Sequence, residues 1–257
     1  VGVKMDIDLP AILLWVVGVL GIIWVIDKVF FEKSRLAKDQ DALDPKPVEY
    51  AKAFFPVLFL VLFIRSFIGE PYQIPSESML PTLKVGDFIW VNKFSYGLRL
   101  PYFGTKVLDV GEPERGDVMV FVPPHDPRFF VKRVIGVPGD QVRYENKALY
   151  VNGTRLKYRF IKESKSSFSK VVVREYLETI DDREYAIHRM NIMDGPRSWS
   201  LKKGEFLMLG DNRDNSQDSR FWGAAREEKI VGKAVAVWMH KDPGFEWPTF
   251  MQNRLIR

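Results

Sequence analysis

The sequence predicts a mostly β protein carried on two N-terminal transmembrane helices. Three observations lead there. Two long apolar runs lie within the first 69 residues, short β-type runs alternate with Gly, Pro and Asp turns from residue 70 onward, and no long helical period follows. A length of 257 residues holds one sizeable domain, or two small ones, with appendages. With 46% hydrophobic and 28% charged residues, wholesale disorder, collagen-like sequence and a pure coiled coil are excluded. The absence of cysteine excludes a disulfide framework, Cys-ligated zinc, an iron–sulfur cluster and a thiol nucleophile. A formal net charge of +5 by itself permits nucleic acid or an anionic membrane surface as partner.

The first element covers residues 10–31 and opens with the charge-free run PAILLWVVGVLGIIWVI. At about 1.5 Å per residue it crosses a hydrocarbon core of about 30 Å. The competing reading is a cleaved signal peptide. The leader, with Lys4 beside Asp6 and Asp8, and the lack of a small-x-small site before the charged stretch count against it. The second span is expected over residues 53–69. Its run AFFPVLFLVLFI is broken by Pro56, and Arg65 near its end can snorkel to the headgroups. A buried core helix is the alternative here. The loop between the spans, residues 32–52, carries Lys33, Arg35, Lys38, Lys46 and Lys52, whereas the tail of residues 1–9 has only Lys4. The positive-inside rule therefore puts the loop in the cytoplasm, and puts the short tail and residues 70–257 on the periplasmic or outer side of the inner membrane. That orientation argues against a nucleic-acid partner. It favours the phospholipid membrane and secreted proteins.

In the outward remainder, strands are expected at 87–93, 117–122, 129–137, 141–144, 148–151, 171–176, 205–209 and 233–240, with tight turns at Pro138-Gly139-Asp140 and Asn152-Gly153. The Lys-, Arg- and Ser-rich stretch 155–174 reads as the solvated face of an exposed β-ribbon, or as a contact with anionic headgroups.

Three segments carry chemistry. The first, Gln73-Ile74-Pro75-Ser76-Glu77-Ser78-Met79-Leu80-Pro81-Thr82-Leu83, sets two serines between prolines a few residues past the second span. In the second, Lys132 lies inside the apolar run FFVKRVIGV. Such a lysine either points to water from an edge strand or is buried. Burial can lower an amine pKa by about 3–5 units from about 10.4, which makes a neutral general base beside a serine feasible. The third, GDNRDNSQDSR over residues 210–220, suits a turn whose side chains bond their own backbone. Its Asp211, Asp214 and Asp218 lack the closing Glu of an EF-hand, so calcium is not expected.

Taken in order, SESMLPTL, GDFI, RGDV, KRVIGVPGD and GDNRDNSQDSR make the chain resemble the bacterial type I signal peptidases (leader peptidases), in their Gram-negative two-span form; the ending EWPT fits as well. The resemblance implies two antiparallel β-sheet domains, a core domain and a smaller inserted one at 141–205. It implies Ser78 as nucleophile, Lys132 as general base, Ser76 in the oxyanion hole and Ser216 as the group that orients Lys132. Arg133, Asp211, Asp218 and Arg220 resemble the charged groups that pin the third segment, and Gly210 the small residue that leaves room beside the lysine. Glu77 departs from a pattern in which a small residue is expected. The implied activity is serine endopeptidase removal of signal peptides from secretory precursors, cutting after small-x-small sequences, with no metal and no cofactor. Ile74, Met79, Leu83, Phe130 and Val131 flank the two catalytic positions and are the expected lining of shallow substrate pockets. An extended substrate is expected to add to strand edges near 73–75 and 129–132. Trp247 and Phe250 either dip into the membrane interface or pack within the domain. The rival readings are a non-enzymatic membrane-anchored β domain in secretion and a self-cleaving Ser/Lys protease. A Ser-His arrangement would have to draw on His125, His188 or His240, all outside the motifs.

Overall fold

A computed structural model of the chain describes residues 9–39, 42–99, 106–165, 171–192 and 194–256. Residues 1–8 of the expected tail and 166–170 of the basic stretch lie outside the described residues. The chain divides into two compact units, a helical one at its start and a β-rich one.

In the helical unit, α1 (Leu9–Ile26) continues through a wider π turn (Asp27–Phe31) into α2 (Glu32–Lys38). A second helix, α3 (Lys46–Phe63), ends in another π turn (Ile64–Ile68) and holds Pro56 inside it. The stretches Ala11–Lys38 and Lys46–Ile68 are each long and apolar enough to cross a membrane. The two helices pack through Trp24 and Phe55, whose rings meet edge-on at 5.4 Å. Their apolar side chains elsewhere, among them Trp15, Ile22, Val57 and Leu60, stay exposed. A helix apolar all round needs either a protein interior or lipid, and this exposure disfavours the core-helix alternative.

The strands are β1 (Gly69–Gln73), β2 (Asp87–Asn92), a short ribbon of β3 (Leu98–Arg99) and β4 (Lys106–Leu108) whose residues 99–107 group with the helical unit, and, in the β-rich unit, β5 (Val118–Phe121), β6 (Phe130–Gly136), β7 (Gln141–Glu145), β8 (Ala148–Val151), β9 (Thr154–Arg155), β10 (Lys157–Lys165), β11 (Val172–Ile180), β12 (Arg183–Met190), β13 (Arg197–Ser200), β14 (Glu205–Leu209), β15 (Ala225–Arg226), β16 (Ile230–His240) and β17 (Arg254–Leu255). The main sheet runs β1-β2-β16-β5-β6-β14-β15, with β17 on β16. Its pairings are antiparallel. Strand β2 alternates buried and half-buried positions, so one face lies on the core, whereas β5 is buried at every position.

This sheet curls. In a flat sheet, β1 and β6 would stand about 19 Å apart, four strand spacings of about 4.8 Å. Yet Tyr72 of β1 and Phe129, just ahead of β6, bring their rings to 5.4 Å. The curl closes the gap between two strands far apart in sheet order, and the loop after β1 thereby reaches β6.

The expected inserted segment forms two further sheets, β13-β7-β8-β9 and β10-β11-β12. Its apolar residues gather in a cluster of their own that three main-sheet residues join. Val142, Tyr144, Leu149, Ile180 and Ile187 from these strands pack with Ile135, Leu207 and Leu209 of the main sheet in one cluster. Strand β1 begins at Gly69, where the second span was expected to end.

Candidate active site

Ser78 lies in a single 3-10 turn, Glu77–Met79, in the loop between β1 and β2. The turn is anchored from below. Met79 and Leu83 are buried, and the Leu83 amide donates to the Met79 carbonyl at 2.9 Å. Ser76 ahead of it is extended, with φ −138° and ψ 162°, and its Oγ stands 3.3 Å from Ser78 Oγ. Lys132 sits on β6 with 3% of its surface exposed. Its Nζ is 2.6 Å from Ser78 Oγ and donates to the Val131 carbonyl at 3.1 Å. Burial pulls the amine down from its ordinary 10.5 to about 8, against the opposing pull of Asp218 and Asp211. The lysine is therefore the buried alternative, not the edge-strand one.

The segment 210–220 folds over this pair. Gly210 lets two groups approach it closely. A Cβ there would stand 2.4 Å from the Ser78 carbonyl oxygen and 2.3 Å from Ser216 Oγ. A side chain there would collide with the Ser78 backbone and Ser216, so the position calls for a glycine. The Asn212 amide donates to the Ser78 carbonyl at 3.1 Å, and its side chain donates to the Glu77 carbonyl at 3.1 Å. Asp211 takes a bidentate pair from Arg133, at 2.9 and 2.8 Å, and accepts from Thr82 at 2.5 Å. Both partners of that ion pair are fully buried. Asp218 accepts from the Gly210 amide at 3.1 Å and from Arg220 Nε at 2.9 Å. Arg133 and Asp211 thus hold the loop to β6, one residue from Lys132.

A second buried pair, absent from the sequence reading, supports the same loop. Arg213 Nη1 donates to Glu178 of β11 at 2.7 Å, and the Tyr185 hydroxyl donates to Glu178 at 2.5 Å. Burial alone would raise the Glu178 carboxyl, and the Arg213 charge and hydrogen bonds hold it below its ordinary value. Backbone pairing completes the junction. The His188 amide donates to the Asp211 carbonyl at 2.9 Å, and the Arg213 amide to the His188 carbonyl at 3.0 Å. The inserted strands therefore brace the segment beside the Ser–Lys pair. The signal in sequence was a buried-type glutamate between Leu177 and Thr179, which strand alternation alone does not separate from a solvated one.

Ser216, expected to orient Lys132, has its Oγ buried beside Gly210 without a hydrogen-bond partner, and the lysine's second bond goes to the Val131 carbonyl. Ile74, Met79 and Leu83, expected to line shallow substrate pockets, lie beneath the Ser78 turn. They are 3%, 1% and 0% exposed and belong to the core, because a turn held this tightly needs apolar anchors beneath it. Phe130 and Val131, neighbours on β6, are half-buried and pack against different core clusters, and Phe129 is exposed. Glu77 is half-buried and accepts from Asn215 at 3.3 Å. None of the histidines pairs with Ser78. His125 stacks on Trp222, His188 lies 3.7 Å from Glu175, and His240 bonds Asp87 at 2.7 Å. Trp247 is 91% exposed and Phe250 is also exposed, which removes ordinary packing as the account of Trp247. Among the described residues no group of three or more His, Asp or Glu side chains gathers as a metal site would.

The arrangement is a serine hydroxyl against a desolvated amine, with a second hydroxyl alongside. It can perform nucleophilic acyl transfer. Comparison with known proteins agrees in kind. The family described as "Signal peptidase, peptidase S26" matches residues 47–239. The signal peptidase I of Pseudomonas aeruginosa is 42% identical over 275 residues, covering 95% of this chain and 94% of that protein. That of Pseudomonas fluorescens is 43% identical over 276 residues, with the same coverage of 95% and 94%. The signal peptidase I of Aquifex aeolicus is 35% identical over 220 residues, covering 72% of this chain and 81% of the relative.

Proposed function

The chain belongs to the signal peptidase family, peptidase S26, membrane serine endopeptidases that remove signal peptides from secretory precursors, and from that premise we propose that Ser78 is its nucleophile and Lys132 its general base. The observation that carries the assignment is the 2.6 Å approach of a buried Nζ to the Ser78 hydroxyl.

With a pKa of about 8, about a tenth of the lysines are neutral at pH 7 and about nine-tenths at pH 9. The neutral amine takes the Ser78 proton as Oγ bonds to the scissile carbonyl carbon, and the carbonyl oxygen becomes the oxyanion. The Ser76 hydroxyl, 3.3 Å from Ser78 Oγ, and the Ser78 amide are the donors for that charge. The resulting ammonium gives its proton to the departing amine as the C–N bond breaks. Neutral again, it takes a proton from the water that hydrolyses the acyl-enzyme. The Coulomb pull of Asp218 and Asp211 eases formation of the ammonium, while burial keeps the amine's pKa down near 8.

An extended substrate segment fits along the open strand edges beside the Ser–Lys pair. Strand β1 is an outer strand of its sheet, and β14 pairs with β6 only from Arg133 onward, which leaves the Phe130–Lys132 edge on that side for a guest strand. Half-buried Phe130 and Val131 beside Ser78 favour small side chains around the cut by exclusion. The basic loop 32–52 supports a cytoplasmic loop and a β-rich unit on the periplasmic face of the inner membrane.

The test is processing of a secretory precursor in detergent by the full chain. Site-specific cleavage by the wild type, and none by Ser78→Ala or Lys132→Met, supports the assignment. Cleavage retained in Lys132→Met removes the lysine from the mechanism.

A further inference from the structure

The helical unit contains a feature that peptide cleavage does not use. A cavity of about 620 Å³ opens where α1, α2 and the start of α3 meet, within the size range of small-molecule sites. Its walls change character along the helix axis. Ile23, Ile26 and Phe31 line one end, while Ser34, Arg35 and Lys38 line the other. Phe31, Ser34 or Arg35, and Lys38 recur at three- to four-residue spacing, hence on one face of the helix. Ile23 to Lys38 spans about 22 Å at about 1.5 Å per residue, the length of a headgroup and a good part of an acyl chain.

The polar end has an unmet requirement. Arg35 gives its two terminal nitrogens to Asp27 at 2.7 Å and to Asp44 at 2.5 Å, yet its Nε is buried without a partner. A buried donor left unpaired costs about 1–3 kcal/mol. The Ser34 hydroxyl and the Lys38 ammonium lie on the same rim. An oxyanion is the ligand that suits a wall holding Ser34, Lys38 and an unpaired guanidinium N–H, where the Asp27 carboxylate in the same wall is already paired with Arg35. The π turn Asp27–Phe31 stands where the apolar and polar ends join, and such turns often mark functional positions in helices.

We propose that this cavity retains one phospholipid, its acyl chain against Ile23, Ile26 and Phe31 and its phosphate at Ser34, Arg35 and Lys38. The occupant is a lipid and not a free anion, because most of the cavity wall is apolar. It also lies at the end of two helices of membrane-crossing length, at the level where lipid phosphates sit.

The experiment is native mass spectrometry of the full chain in detergent, titrated with dioleoylphosphatidylglycerol and, separately, with inorganic phosphate. The wild type is expected to retain one lipid per chain. Val48→Trp, which fills the cavity from α3, is expected to lower retention at least tenfold. The double variant Ser34→Ala/Lys38→Ala is expected to lower it about 3–10-fold. Precursor cleavage stays unchanged in both, which checks their folding. If Val48→Trp fails to fold, Ile23→Trp fills the same space from α1. Retention unaffected by either filling variant, no lipid retained by the wild type, or displacement of the lipid by inorganic phosphate would each overturn the proposal.

Discussion

Replacing Lys132 by methionine removes a group whose cost to folding depends on pH. The folded amine titrates at about 8 against an ordinary 10.5, because it is desolvated on β6. A base with a lowered folded pKa binds fewer protons in the folded than in the unfolded state between those two values, so stability rises with pH across that window. Below about pH 8 the whole penalty is present, and above about 10.5 it is gone. The difference of about 2.5 pK units corresponds to about 3 kcal/mol. The lost hydrogen bonds to Ser78 and Val131 offset about 1 kcal/mol of this in the variant. Lys132→Met is thus expected to be more stable than the wild type by about 2 kcal/mol at pH 7, with the gap closing toward pH 10. The assay is denaturant unfolding of both proteins in detergent at several pH values between 7 and 10. Other titrating groups are common to both and cancel in the difference. A stability difference that does not change with pH would refute a buried amine with a lowered pKa.

The remaining predictions concern the groups around the pair. Gly210→Ala puts a methyl 2.4 Å from the Ser78 carbonyl, a backbone atom that moves only with the nucleophile's turn; kcat/KM is expected to fall about 100-fold in precursor cleavage. Ser76→Ala removes one oxyanion donor and is expected to lower kcat about 10²–10³-fold while KM holds, as read by steady-state kinetics on a peptide substrate. Asp211→Asn leaves the buried Arg133 guanidinium without its counter-charge and is expected to cost about 3–5 kcal/mol in unfolding experiments. Glu178→Gln does the same to Arg213 from the inserted sheet, so both stability and cleavage are expected to fall.

Much of the site was legible because its chemistry is written in short segments. Ser76 and Ser78 share one turn, Lys132 interrupts an apolar strand, and Gly210 to Arg220 is dense in Asx and Ser. Strands such as β2, β5 and β6 were legible because β-branched and aromatic residues cluster there between turn residues. What escaped depends on distant contacts. Buried Glu178 looks like any solvated acid in a strand until Arg213, 35 residues on, arrives beside it. Ile74, Met79 and Leu83 flank the nucleophile in sequence, and their near-complete burial beneath a tight turn is not written in that spacing. Ser216 lies near the pair, but which hydroxyl meets the amine is settled by ångström-scale loop geometry that motif order does not encode. The curl that brings Tyr72 to Phe129 belongs to the whole sheet and to no segment of it.

The account rests most directly on the ionisation of Lys132, and single-turnover acylation of the full chain by a precursor substrate reads it. The acylation rate is predicted to rise about tenfold per pH unit below pH 8 and to level off above it, with an apparent pKa of about 8. A rate that keeps climbing toward the ordinary lysine value near 10.5, or one indifferent to pH from 6 to 9, would contradict a sheltered neutral amine as the base.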